Sequence, residues 1–455
     1  MRKFLNKKVI ILILISFFII LLGNGKTLYT AYTPDDYMLS ETQVPLAFYL
    51  QQGRFIQGLL VFYLNYLDYP VTYTGFLFSL LFFLSFAISI IIGCYLVSPN
   101  RTYKYLLFPI LLISSSTFIS TLSVYHMTVV NYTAGLLLLS LFFISFYKYF
   151  YLNDIKFYVL SVLSIALIPG SYQPILPIAI FWSFSFFIRK KNILRYIRSF
   201  SSIVLGVLLY FLIFKLTKDL AGENNWDPRS GYLEINNLLN RFFDVVLFLK
   251  HLTIKEWWII PKELNVLYLI LFIMPLFFLS NKDKILYFLY YIFSLLIIIL
   301  PVALLKDWEP THRALFSVSF LGGFLILNAN IYHYIYKRLL LFFVIIITLL
   351  SLVSSNVFLS SLERENSRNE FISSMVAIDL NRVSDISNKN IVIYNKYNTL
   401  SMPDWAVKGL FFFSSGYRFN IIGYNDNHSF TCEVQNKFPN HNYIMVKDDD
   451  VFICF

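Results

Sequence analysis

Long runs of Leu, Ile, Phe and Val alternate with short polar loops from one end of this chain to the other. Apolar runs of roughly 18 residues or more are long enough to cross a bilayer as helices. They lack the ten-residue in–out alternation of a membrane strand. In order, the runs predict spans near 9–22, 74–97, 105–123, 128–147, 200–214, 266–279, 285–304, 314–327 and 339–358. The stretch 157–188 is interrupted by Pro169, Gly170 and Pro174, which break helices. It is read as two short spans meeting at a turn. The result is a polytopic α-helical membrane protein of about eleven spans. Residues 41–66 mix apolar and polar positions at helical spacing and predict a helix lying on the membrane. The insertion 215–263 predicts two more, rich in Trp and Phe.

The pattern changes at residue 360. The tail, 360–455, is mixed and soluble-like. It predicts a helix over 367–382 and strands at 390–394, 419–423, 443–447 and 451–455, the last two joined by a turn through Asp448 and Asp449. Two domains are therefore expected: a membrane domain over 1–359 and a small α/β domain over 360–455.

Charge orients this arrangement. Arg2, Lys3, Lys7 and Lys8 precede the first span, and further basic clusters fall in alternate loops at Arg101 and Lys104, at Lys148 and Lys156, from Arg189 to Arg198, at Lys282 and Lys284, and at Lys337 and Arg338. Basic loops stay cytoplasmic, so the N-terminus is expected inside and the tail outside. The N-terminus resembles the n-region of a signal peptide, but no Ala-x-Ala-like site follows, so the first span is expected to remain uncleaved.

Composition agrees, with 58% hydrophobic and only 14% charged residues, against about 25% charged in soluble domains. The net charge of +11 resides largely in the orienting loops and does not argue for nucleic acid. Cys94 lies in a span, while Cys432 and Cys454 lie in the tail and can pair in an oxidising compartment. No Cys/His cluster has metal-ligand spacing, so no metal and no cofactor is expected.

With that orientation, the informative polar residues share the outer side. Asp35 and Asp36 follow the first span. Such a pair either caps a helix or supplies a general base. Asp36 is slightly favoured as the base because Arg54 is expected within its reach. Arg54 itself is either a headgroup anchor or a partner for Asp36 or a phosphate. Tyr172 and Gln173 sit at the break between two spans, either as packing or as groups presented at the membrane face. The turn from Lys306 to Arg313 carries more charge than a short turn needs. Arg313 suits bidentate phosphate binding, Lys306 adds a point charge, and His312 is either a phosphate contact or an interfacial histidine. Trp226 is a candidate sugar-stacking residue in a loop that otherwise reads as solvated.

The ordered motifs Pro34-Asp35-Asp36, Gly53-Arg54-Phe55, Ser171-Tyr172-Gln173 and His312-Arg313 resemble those of the serotype-converting O-antigen glucosyltransferases of bacteria and their phages, within the GT-C superfamily. The resemblance spans the first ten predicted membrane segments. It implies a GT-C-like bundle in the bacterial inner membrane, with a C-terminal domain outside. The donor would be a sugar, most often glucose, carried on undecaprenyl phosphate. The acceptor would be a lipid-linked O-antigen or another cell-surface glycan. A donor flippase and a donor-synthesising transferase would be functional partners. Transfer would invert the anomeric centre. Asp35 or Asp36 would act as base, and Arg313, with Lys306 and His312, would hold the departing phosphate. Two other classes remain open: a flippase or transporter of a lipid-linked sugar, and a glycan polymerase or ligase. Neither inverted repeats nor paired broken helices favour the transporter.

Overall fold

A computed structural model describes residues 7–41, 44–67, 75–98, 103–190, 192–222, 233–254, 259–306, 308, 310–329, 333–383, 385–395, 399–424, 438–440, 442–447 and 449–455. The helices are α1 (Lys7–Asn24), α2 (Pro34–Glu41), α3 (Leu46–Gln51), α4 (Phe55–Tyr66), α5 (Gly75–Val97), α6 (Tyr103–Ser114), α7 (Phe118–Ser123), α8 (His126–Leu152), α9 (Ile155–Tyr172), α10 (Leu176–Lys190), α11 (Ile193–Ala221), α12 (Leu238–Ile254), α13 (Lys262–Ile273), α14 (Asn281–Ala303), α15 (Val318–Ala329), α16 (Tyr334–Leu380) and α17 (Asp404–Ser415). Among the described residues, seven helical stretches are long and apolar enough to cross a membrane: Lys7–Leu28, Gly75–Val97, His126–Leu152, Ile155–Ile188, Ile193–Ala221, Asn281–Ala303 and Tyr334–Leu380. Phe55–Tyr66, Tyr105–Ser114 and Val318–Ala329 are apolar but shorter. Leu, Ile, Phe and Val on the outer faces of the long helices remain exposed, for example Leu14, Leu208 and Val353, as expected of lipid-facing surfaces. The inner faces form one large core.

Small residues and hydroxyls set how closely the helices approach. Ser89 Oγ on α5 lies 2.8 Å from Ser140 Oγ on α8, and Gly75 at the start of α5 leaves no room for a side chain beside His126 at the start of α8. The two helices therefore run in the same direction. At the far end of α8, Asn153 adopts the left-handed conformation (φ 55°) that commonly stops a helix. The Asp154 carboxylate then accepts from Lys156 N at 2.9 Å and starts α9. α9 returns along α8, with Tyr158 beside Tyr149 and Tyr172 beside Tyr132. Next, α10 runs back again, with Trp182 against Phe143 and Phe186 against Phe150. The apolar stretch 155–188 is thus two antiparallel helices joined at Tyr172–Ile175, as the Pro-Gly interruption predicts.

The expected single surface helix over 41–66 is instead two short ones, α3 and α4. Gly53 (φ 72°) breaks it, and the space where its side chain would stand holds the Tyr210 hydroxyl and the Phe214 ring. Only glycine meets both conditions at once. Of the two helices expected in the 215–263 insertion, α12 is described.

The tail builds a four-stranded sheet from β1 (Asn390–Tyr394), β2 (Ile421–Tyr424), β3 (Ile444–Lys447) and β4 (Asp450–Cys454), in the order β2-β1-β4-β3. β1 is parallel to β2 and β4, and β3 pairs antiparallel with β4. The strands follow the sequence pattern closely, whereas that pattern does not single out α17. Cys454 is disulfide-bonded and Cys94 is a buried free thiol. Cys432 lies outside the described residues. The expected domain boundary at 359/360 falls inside α16, which continues unbroken from the bundle into the tail. The tail's core also includes Tyr37 of α2, so the tail is joined to the chain segment that carries the acidic pair.

Candidate active site

The site begins with how α2 starts. Thr33 precedes Pro34, whose missing N–H and fixed φ suit the first helical position. Asp36, three residues after Thr33, folds back so that its Oδ2 accepts from Thr33 N and Thr33 Oγ1, both at 2.9 Å. The bond to Thr33 N is one half of a capping box, in which the side chain at the third helical position reaches back to the N-cap N–H. Its other oxygen, Oδ1, accepts from Met127 N at 3.0 Å, in the first turn of α8. There the helix dipole also favours negative charge. Asp36 is only 1% exposed. Burial pushes its carboxyl above the ordinary range, against the opposing pull of nearby His126 and its hydrogen bonds.

Asp35 points elsewhere. Its side chain is about one-third exposed, and Oδ2 lies 3.4 Å from Arg313 Nη1. The Arg313 guanidinium covers the Tyr125 ring at 4.7 Å, which restricts a cation that would otherwise sample many rotamers. Its carbonyl accepts the Tyr172 hydroxyl at 2.8 Å. Arg54 in turn lies 5.9 Å from the Tyr172 ring centre and donates through Nε to Gln173 Oε1 at 3.0 Å. Gln173 Nε2 donates to the Gln52 carbonyl at 2.8 Å. Five residues drawn from four distant sequence segments (Asp35, Arg54, Tyr172, Gln173 and Arg313) are thereby linked at one end of the bundle. The expected Arg54–Asp36 pairing is corrected in the contacts the acid makes: both Asp36 oxygens are occupied by backbone and Thr33 donors, and the carboxylate paired with a guanidinium is Asp35.

The remaining candidates fall differently. His312 is buried at 2% exposure with its ring 5.7 Å from Phe118, facing the bundle interior. The Lys306 side chain is exposed, and its carbonyl accepts from Arg241 at 2.9 Å; the contacts linking the cluster do not include it. Trp226 lies outside the described residues. Among the described residues, no group of three or more His, Cys, Asp or Glu converges in a way that would hold a metal ion. An apolar cavity of about 80 Å³ is lined by Leu112, Phe118, Tyr268, Phe272 and Val318, among others. His312, Asp35 and Arg313 do not line it.

Sequence reasoning missed several members. Tyr125 forms the floor under Arg313, and Tyr49 is buried near Arg54 and Asp35, its hydroxyl pushed up to about 12 by burial against the pull of Arg54. Arg241 on α12 binds the carbonyls of Leu305 and Lys306 at 2.9 Å each and lies 5.2 Å from the Trp308 ring centre, fixing the start of the turn that carries Arg313. Neither spacing nor composition distinguishes these residues from other aromatic and basic positions. The capping alternative for the acidic pair takes a different form: Asp36 is the third residue of α2 and reaches back to Thr33 N.

Compared with known proteins, the chain matches no protein-family model, and no curated protein is significantly similar to it.

Proposed function

We propose that this protein is a membrane glycosyltransferase of GT-C-like architecture, moving a sugar, with glucose the first candidate, from undecaprenyl phosphate to a hydroxyl of a cell-surface glycan. The observation that carries this is the Asp35–Arg313 pair, 3.4 Å apart and partly open at one end of the bundle. A sugar–phosphate donor needs two groups close together: a base for the acceptor hydroxyl and a cation for the phosphate that leaves. Asp35 takes the acceptor's proton. The acceptor oxygen bonds to the anomeric carbon from the side opposite the phosphate, and the carbon–oxygen bond to phosphate breaks with its electron pair. The departing phosphate monoester gains a negative charge, which the Arg313 guanidinium stabilises through paired N–H donors. Arg54, held by Gln173 and the Tyr172 face, supplies a second cation to the same region. The free side of Asp35 favours it as base over Asp36, whose three hydrogen bonds spend its acceptor capacity on structure.

Further support comes from topology. If the shorter apolar helices cross together with the long ones, α1, α5, α6, α8, α9, α10, α11, α13, α14, α15 and α16 would make eleven crossings, and the sign rule would then put the basic loops on one side and the acid–arginine cluster on the other. A disulfide at Cys454 is compatible with an oxidising exterior for the tail. Such an enzyme works in the bacterial inner membrane and depends on a synthase and a flippase to deliver its donor.

The test is a purified-component assay with polyprenyl-phosphoglucose and a lipid-linked glycan acceptor. Transfer with release of polyprenyl phosphate is expected. Vesicles that translocate the lipid-linked sugar without transferring it would establish the transporter instead.

A further inference from the structure

α2 meets the bundle through Asp36 on Met127 N and through Asp35 on Arg313. Most of the contacts that hold α2 come from the tail and the far end of α16. The Tyr37 hydroxyl donates to Glu370 Oε1 at 2.6 Å, and Tyr37 is 1% exposed within the tail's core. Ser40 Oγ donates to the Gly409 carbonyl of α17 at 3.1 Å. Asn366 Nδ2 donates to the Tyr32 carbonyl at 2.9 Å, just ahead of the helix. Phe413 of α17 packs edge-on against both Tyr32 and Tyr37, at 5.1 and 5.3 Å. Gly409 approaches so closely that a methyl group there would meet the backbone of Tyr37 and Met38. The acidic pair is thus carried on a helix clamped between the bundle and the tail. Glu370 is the tail-side group whose hydrogen bond is charge-assisted, a class about twice as strong as neutral pairs.

We infer that Glu370 is a positioning residue for the transfer reaction: through Tyr37 it sets α2, and hence Asp35, against Arg313. This rests on the proposed function above, and it gives 360–455 a part in the chemistry without contact to the reacting atoms. A carboxylate acting as base must lie within hydrogen-bond reach of the hydroxyl it deprotonates, and displacement of a reacting group by about 1 Å can cost on the order of 10²-fold in rate. Loosening α2 at Tyr37, two residues from Asp35, therefore lowers turnover while leaving the cations that bind the donor in place.

The experiment uses the full-length protein with three variants, Tyr37→Phe, Glu370→Ala and Glu370→Gln. Two quantities are read: amide hydrogen exchange over residues 34–41, which needs no turnover, and kcat and KM for polyprenyl-phosphoglucose. Tyr37→Phe and Glu370→Ala are expected to speed exchange in α2 about tenfold and to lower kcat about tenfold, with donor KM within about twofold of wild type. Glu370→Gln keeps an acceptor oxygen and is expected to restore both. Tyr37→Phe retains the ring and its packing, so it reports on the hydrogen bond even if Glu370→Ala does not fold. Unchanged α2 exchange in Tyr37→Phe overturns the clamp, and faster exchange with unchanged kcat overturns the positioning role. Absence of transfer by the wild type overturns the proposed function itself, and is told apart from failure of the clamp by the exchange measurement.

Discussion

Asp35 and Asp36 are neighbours on one helical turn, yet one belongs to the seam between α2 and α8 and the other to the cup between α2 and the Arg313 turn. In the seam, three donors converge on a carboxylate that solvent does not reach. The charge is spent on starting α2 and on docking it at the first turn of α8. In the cup, a carboxylate of the same type meets a single guanidinium at 3.4 Å and keeps about a third of its surface open. Identical chemistry thus acquires opposite roles from the direction in which the helix points each side chain. Adjacent residues on a helix do not share a face, so a pair that faced two different structures was bound to divide its work.

The sharpest way to break this contrast is Asp35→Asn. It is expected to reduce transfer by about 10²–10⁴-fold, the span typical of losing a general base, with little change in thermal unfolding. An ion pair about one-third exposed contributes only about 0–1 kcal/mol. Retained activity in Asp35→Asn, with activity lost in a well-folded Asp36→Asn, would invert the assignment. Arg313→Lys comes next. Lysine keeps the charge but not the planar fork or the stacking on Tyr125. Donor KM is expected to rise about tenfold with acceptor KM unchanged, as read in initial-rate kinetics.

Asp36→Ala should act mainly on stability. It leaves the Thr33 and Met127 N–H groups without their acceptor, at about 1–3 kcal/mol for the buried orphans. The expected readout is a lower Tm, with α2 exchanging faster. The smallest effect is the pH dependence. Burial raises the Asp36 carboxyl above its ordinary value in the folded protein. The unfolded chain therefore ionises first, and the stability associated with this group is complete below the ordinary carboxylate range. It is lost as pH rises through the raised value. Wild-type Tm is expected to slope downward across that window, and Asp36→Asn to flatten the slope whatever its effect on the level.

Much of this arrangement was legible in the chain. Apolar runs longer than a bilayer is thick leave few alternatives to helices, and strand-length β-branched segments marked the tail sheet. Asp35 and Asp36 in the first turn of α2 follow from the chemistry of helix starts. What escaped was long-range. Gly53 as a break in a helical pattern depends on the Tyr210 hydroxyl and the Phe214 ring from α11 occupying its side-chain space. α17 is not singled out by the pattern, yet its Gly409 and Phe413 hold α2. Arg241 looks like one more basic residue until its guanidinium is seen on the Leu305 and Lys306 carbonyls.

The sequence by itself determined that this protein is a helical membrane bundle with a small α/β tail, because hydrophobic length and local propensity act within a few turns of chain. Through the sign rule it also predicts that Asp35, Asp36, Arg54 and Arg313 share one side of the membrane. Which acid faces which arginine was decided only by tertiary structure. Asp35 and Arg313 are 278 residues apart, and their meeting depends on helix directions, on the reversal at Tyr172–Ile175 and on the clamp around α2. Pairing across such a separation is set by packing geometry, which no local pattern encodes.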